Sequence, residues 1–230
     1  MSDEPQVLTA ERPSETRPLR FAPVMRSPLT EQHRRLGAQL AVQDGWELPR
    51  SYGAVERERQ AIRDGLGIVD ITARGKIDVR GAVDSSLARL PQTRGAQLAR
   101  LSRNWALVLT PAARLEFSLQ LMEQSADRAA MVTDATSIYA GIGLLGPRVP
   151  DLLLRLTAID PSTLTPGHAV ATQLLRIPAI LLRRDLPATV IEAYVASEFA
   201  RYAWEAVFTV GHPLDPIPVG WDALQAEGWR

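Results

Sequence analysis

Between Gly45 and Lys76 the chain is punctuated so closely that few backbone paths remain open to it. The run reads Gly45-Trp46-Glu47-Leu48-Pro49, then Tyr52-Gly53, then Gly67-Ile68-Val69-Asp70, then Gly75-Lys76. Glycine and proline interrupt regular structure more strongly than other residues, so each interval between them holds one short element. Ala54 to Asp64 fits a helix with Val55, Ile62 and Leu66 facing inward. Gly65 and Gly67 are expected to stop it by adopting left-handed geometry. Ile68 to Thr72 and Lys76 to Arg80 then read as strands, with Asp70 and Lys76 flanking a tight turn. Those two charges either face an anionic ligand or simply end the strands. Trp46, between Gly45 and Pro49, either lines a ligand pocket or plugs the edge of the core.

On the N-terminal side, residues 1–26 mix Pro, Glu, Arg and Ser with few large apolar side chains. Such a segment cannot bury enough surface to order itself, and a disordered tail is expected. Order is expected from Ser27-Pro28, a cap followed by proline at the first helical position, with Glu31 in the first turn. Leu29, Leu36 and Leu40 supply its buried stripe, which puts His33 on the polar, surface side.

After Arg80 the pattern alternates. A short helix ends near Leu90, Trp105 to Thr110 is a strand, and Leu115, Leu119 and Met122 mark a helix. Met131–Asp134 and Ile138–Leu145 read as a strand pair, and Pro147 opens a helix through Leu156. His168–Leu175, Ile177–Arg183 and Val190–Val195 read as strands, and Ser197 caps a helix with the stripe Phe199, Tyr202, Ala203 and Val207. Two stretches recur. Val79-Arg80-Gly81 and the helix to Leu90 match Leu144-Leu145-Gly146 and the helix to Leu156. Trp105 to Met122 matches Val190 to Phe208. The offset of roughly 65–85 residues divides residues 27–230 into two similar halves, about 67–130 and 131–215. The expected class is α+β: a ferredoxin-like duplication with antiparallel sheets and helices on one face.

Composition narrows the function classes. The 230 residues are 46% hydrophobic and 23% charged, with formal net charge zero, so nothing draws the chain to nucleic acid or acidic membrane. No cysteine is present, which removes disulfides, thiolate metal sites and cysteine nucleophiles. The longest apolar runs, such as Ile177–Leu182, are too short to span a bilayer, and no signal peptide is read at the N-terminus. A cytoplasmic protein is expected. Gly141-Ile142-Gly143-Leu144-Leu145-Gly146 spells a dinucleotide-binding pattern, but its glycines lie within the strand and no acidic residue follows at the ribose position. Glycines so placed mark close backbone approach. His33, His168 and His212 have no metal-ligand spacing, and no serine sits in a strained elbow.

Several separate motifs together resemble the folate-binding aminomethyltransferases, the T-protein family of the glycine cleavage system. They are Ser27-Pro28-Leu29, Gly45–Pro49, Tyr52-Gly53, Gly67–Asp70, Val132-Thr133-Asp134, Gly143–Arg148, Glu192–Val195, Tyr202–Ala206, Pro218-Val219-Gly220 and Ala226–Trp229. The resemblance implies a duplicated ferredoxin-like folate-binding domain, with the family's C-terminal barrel absent from this sequence. It implies tetrahydrofolate as cofactor and one-carbon transfer as the setting. It also implies Arg74, Trp105, Thr110 and Glu192 as cofactor-binding positions.

The sequence departs from the family where the family's chemistry lies. The catalytic aspartate falls at Arg94 or Gly95, the following turn's Asn at Thr110, and the Ser-His-Met turn at Thr72-Ala73-Arg74. The Gly-Tyr-Thr-Gly-Glu run has become Arg184-Asp185-Leu186-Pro187-Ala188-Thr189, leaving only the later Glu192. No catalytic residue and no metal ligand is therefore assigned. The chain reads as a degenerate aminomethyltransferase-like subunit acting with a larger catalytic or barrel-bearing partner. A non-catalytic subunit similar to the gamma chain of heterotetrameric sarcosine oxidase, and a folate-independent assembly module, stand beside that reading.

Overall fold

A computed structural model describes residues 23–84, 95–126, 128–186 and 188–228. In chain order, β1 (Met25–Arg26), α1 (Thr30–Arg35), β2 (Gln39–Gln43), β3 (Trp46–Ser51) and α2 (Val55–Asp64) come first. Next are β4 (Gly67–Asp70), β5 (Gly75–Gly81), β6 (Gln97–Ser102), β7 (Trp105–Thr110), α3 (Leu115–Ser125) and β8 (Ala130–Asp134). Then follow β9 (Tyr139–Leu145), α4 (Val149–Leu156), β10 (Ala169–Leu174), β11 (Ile177–Arg183), β12 (Val190–Ala196), α5 (Ala200–Gly211), β13 (Ile217–Val219) and α6 (Trp221–Ala226). Most of the expected tail and the helix expected to end near Leu90 lie outside the described residues.

Alternation along the strands dictates how the sheets stack, because successive side chains point to opposite faces. In β4, Ile68 joins one core and Val69 another; in β12, Ile191, Ala193 and Val195 join the first, Val190 and Tyr194 the second. The first core lies under α4 and α5, with Leu152, Leu153, Trp204 and Val207. The second lies between the two large sheets, where Leu107 and Leu109 of β7 meet Ile180 and Leu182 of β11. A third, with Ile77, Val79, Val108 and Met122, packs the other face of β7 and β5 on α3. The layers are helix, six-stranded sheet, four-stranded sheet, helix. Both faces of β12 are covered, and only its last residue escapes full burial.

The six-stranded sheet runs β10-β11-β12-β9-β4-β13 and the four-stranded sheet β6-β7-β5-β8; a small sheet, β1-β3-β2, packs at the side. The strand orders β11-β12-β9-β4 and β6-β7-β5-β8 are the same ferredoxin-like pattern. They are also exchanged. β4 pairs with β9 and leads into β5, while β8 pairs with β5 and leads into β9. The two crossing turns are built alike: Asp70 Oδ1 accepts from Thr72 N at 2.8 Å, and Asp134 Oδ1 from Thr136 N at 2.8 Å. Thr72 Oγ1 then accepts from Gly141 N at 3.1 Å, and Thr136 Oγ1 from Lys76 N at 3.0 Å. Each turn is thereby sewn to the strand of the other half. The strand-to-helix links also match, with Pro111 (φ −54, ψ 142) and Ala196 (φ −57, ψ 139) each opening a short 3₁₀ turn. The fold is the expected α+β duplication, with no closed barrel among the described residues. Among the described residues two pairings are parallel, β1 with β3 and β13 with β4.

Several local expectations are corrected. Residues Met131–Asp134 and Ile138–Leu145 do not pair with each other but serve different sheets. Neither Gly65 (φ −129, ψ −131) nor Gly67, inside β4, is left-handed. Gly67 is needed for space instead: a Cβ there would stand 2.9 Å from Val219 Cγ2. Helix α1 stops at Arg35, so Leu36 is exposed and Leu40 lies in β2. Phe199 and Tyr202 are exposed, and the buried stripe of α5 is Ala200, Ala203, Trp204 and Val207. Ser197 donates its hydroxyl to Ser137 O rather than capping α5. The Gly141–Gly146 pattern does mark close approach, since Cβ atoms at Gly141 and Gly143 would meet Ile71 at 2.9 Å and Val69 at 2.6 Å.

Gly220 fixes α6 against α2 and β3. Its N–H donates to Glu58 Oε2 at 2.8 Å, and a Cβ would lie 2.2 Å from Arg50 O. Glu58 is itself buried and accepts from Ser51 Oγ and Tyr52 N. Gly220→Ala is therefore expected to lower unfolding free energy by about 2–4 kcal/mol, read by urea denaturation.

Candidate functional site

The crossing turn between β4 and β5 opens onto a cavity of about 470 Å³ where the three sheets converge. Ile71, Ala73 and Arg74 come from that turn, Gln43, Asp44 and Leu48 from the β2–β3 hairpin, and Pro111 and Ala112 from the link after β7. Arg184 follows β11, and Trp221, Leu224 and Gln225 belong to α6. Period-two alternation puts Glu192 on the same face of β12 as Tyr194, in the layer between the sheets. A carboxylate there needs full compensation, because burial strips its water.

The compensation is direct. Arg74 Nη1 donates to Glu192 Oε1, Arg184 Nη1 reaches the same oxygen at 3.3 Å, and Tyr194 Oη donates to Oε2 at 2.7 Å. Glu192 is wholly buried, while the Arg74 and Arg184 side chains are 14% and 17% exposed at the cavity. Burial and the Glu192 carboxylate hold the Tyr194 phenol well above its usual range, so it stays a donor. Burial also draws the Arg184 guanidinium down, against the pull of Glu192.

Lys76 lies beneath the same turn. Its side chain is fully buried, and Nζ donates to Thr72 O and Arg74 O, both at 2.7 Å. Burial pushes its ammonium from the ordinary 10.5 to about 7; Asp70 opposes this and Arg74 adds to it. With the folded value below the unfolded one, the unfolded chain binds more protons between those limits. Stability from this group is thus complete above the unfolded value and is lost as pH falls toward about 7. Lys76→Met should remove a slope of up to about 1.4 kcal/mol per pH unit from unfolding free energies measured between about pH 7 and pH 9.

A second buried cluster anchors α1. His33 Nε2 donates to Asp70 Oδ2 at 2.8 Å, its Nδ1 shares a hydrogen bond with Tyr52 Oη at 2.8 Å, and its ring meets Trp204 edge-on at 5.1 Å. His33 is 1% exposed, so the surface reading of this residue is overturned. The short helix turns it toward Asp70, which supplies the polar partner. Trp46, 5% exposed with Leu48 and Ala73, plugs the core edge. Asp70 and Lys76 are both inside, engaged with backbone.

Of the four cofactor-binding positions expected from the sequence, Arg74 and Glu192 come together at the cavity. Thr110 is buried on the other face of β7, bonded to Ser118 of α3 at 3.2 Å. Trp105 lies at the far end of β7, its indole N–H on Asp78 at 2.7 Å and Arg80 stacked on its ring at 4.0 Å. Arg184, Tyr194 and Trp221 were not anticipated as site residues. Tyr194 carries a signal in its spacing of two from Glu192, and Arg184 in its place in the stretch that replaces the Gly-Tyr-Thr-Gly-Glu run. Among the described residues no three His, Asp or Glu are grouped to hold a metal, and no helix is long and apolar enough to cross a membrane.

Comparison with known proteins agrees with this fold. An aminomethyltransferase from Symbiobacterium thermophilum is 26% identical over 231 residues, covering 85% of this chain and 60% of the relative. One from Geobacillus kaustophilus is 26% identical over 223 residues, covering 85% and 61%. The chain thus spans about 60% of the length of these curated relatives. The solved aminomethyltransferase T of the Bartonella henselae glycine cleavage system superposes with TM-score 0.74 at 18% identity, over 87% of this chain and 60% of that one. A chain of heterotetrameric sarcosine oxidase from Corynebacterium sp. U-96 superposes with TM-score 0.58 at 14% identity, over 74% of this chain and 98% of that one. Residues 95–227, more than half of the sequence, match the family model described as the GCVT N-terminal domain, and the chain belongs to that family.

Proposed function

We propose that the protein is a degenerate aminomethyltransferase-like subunit of a tetrahydrofolate-linked one-carbon system, acting with a larger partner that carries the folate chemistry. The observation that carries this reading is the state of Glu192. A pterin presents amino and ring N–H donors and needs a free acceptor in a dry pocket. Glu192, the carboxylate that remains of the family's Gly-Tyr-Thr-Gly-Glu segment, is occupied by Arg74, Arg184 and Tyr194. Two guanidinium groups face the cavity instead, and they cannot pair with the pterin's amino and ring N–H groups, so the Glu192 cluster does not fit that edge of the pterin.

The position of the family's aspartate points the same way. It falls at Arg94 or Gly95, so no carboxylate there handles the amine proton or stabilises developing cationic charge. The gamma-type role in a heteromeric oxidase is supported by the superposition over 98% of one sarcosine oxidase chain. Turnover of an aminomethyl donor with tetrahydrofolate is the functional test. The isolated chain is expected to give no rate above the uncatalysed background; measurable turnover that Glu192→Gln abolishes would overturn the proposal.

A further inference from the structure

The cavity has a chemistry of its own, apart from the partner-dependent role and not resting on it. We propose that it binds a small organic carboxylate with an apolar body, its carboxylate gripped by Arg74 and Arg184. At about 470 Å³ it lies in the size range of small-molecule sites. Leu48, Ile71, Leu224 and the Trp221 ring give it an apolar wall. The Trp221 indole N–H is buried and has no acceptor among the described residues.

The polar wall is built in advance of any ligand. Glu192 Oε1 takes one N–H from each guanidinium and Tyr194 holds Oε2, so both forks are fixed in place. A planar fork carries five N–H groups and suits bidentate capture of a carboxylate. Lys76, donating to the carbonyl of Arg74, secures the backbone from which that fork projects. One buried negative charge is thus set between two cations. The carboxylate in the lining itself, Asp44, is exposed on the β2–β3 hairpin, where water and salt screen it. Largely desolvated cations attract a ligand charge far more strongly than a solvated rim group repels it.

The test uses the full chain with 3-phenylpropanoate as probe and its neutral amide, 3-phenylpropanamide, as control, by calorimetry at low ionic strength. The acid is expected to saturate with a Kd of about 1 mM or tighter, and the amide to bind at least about tenfold more weakly. Arg184→Gln, which leaves Arg74 on Glu192, should weaken the acid about tenfold or more. Ala112→Phe, placed to fill the cavity from its rim without touching the ion cluster, should abolish binding with the circular dichroism spectrum unchanged. If Arg184→Gln does not fold, Ala112→Phe decides. Equal affinity for acid and amide, no saturable binding, or unchanged binding in Ala112→Phe would each overturn the proposal. Turnover with tetrahydrofolate bears on the subunit reading instead, so either can fail alone.

Discussion

Glu192→Ala is expected to lower the unfolding free energy by about 3–5 kcal/mol, enough to leave a domain of ordinary stability partly unfolded. The substitution removes the carboxylate that accepts from Arg74 Nη1 and Tyr194 Oη, in the layer between two sheets. It also removes a shared partner of Arg184. The loss comes mainly from cations left in a poorly solvated layer, not from the attraction itself. Two consequences separate this account from simple cavity formation. Glu192→Gln, which keeps the shape and loses the charge, should still lose more than about 1 kcal/mol. Pairing Arg74→Met with Glu192→Met should recover part of what Glu192→Met alone loses. Urea denaturation of the set reads both. A loss below about 1 kcal/mol for Glu192→Ala would contradict the buried-cluster description.

Asp70→Ala is expected to be comparably damaging, at about 3–5 kcal/mol. Asp70 closes the crossing turn through Thr72 N and holds His33, which fastens α1 to the body of the fold. Burial by itself would raise its carboxyl, but His33, Ser27 and Thr72 together keep it below the usual carboxylate value. The sign follows. A carboxyl depressed in the folded state contributes fully above its unfolded value and loses that contribution as pH falls through its folded value. Asp70→Ala should therefore flatten the acid limb of the stability profile as well as lower its plateau. Unfolding curves between about pH 3 and pH 7 measure both, and an acid limb unchanged from the parent would contradict the assignment.

Much of the scaffold was legible because its signals are local. Glycine and proline spacing set the elements between Gly45 and Gly81, and short apolar runs gave β7 and β11 to the residue. The matching strand, 3₁₀ turn and helix after β7 and β12 were visible as a sequence recurrence. The strand exchange was not. Nothing in Met131–Asp134 says that it pairs with β5 while the next strand crosses to β4 and β12, because that choice is made by which apolar faces find each other.

The same limit governed the site. Arg74 and Glu192 lie 118 positions apart and meet only because the sheets stack. Trp105 and Thr110 sit five positions apart on one strand, which puts them on opposite faces and about 17 Å apart, so they cannot share one pocket. His33 lies on the inner side because α1 ends at Arg35 and β2 begins soon after, so Leu36 and Leu40 do not mark the buried face of that helix.

Calorimetric titration of the full chain with tetrahydrofolate tests the central claim most directly: a GCVT-type scaffold whose pterin acceptor is spent on its own arginines. The account predicts no binding heat at ligand concentrations that saturate a micromolar site. Saturable binding with a micromolar Kd, weakened by Glu192→Gln, would contradict it.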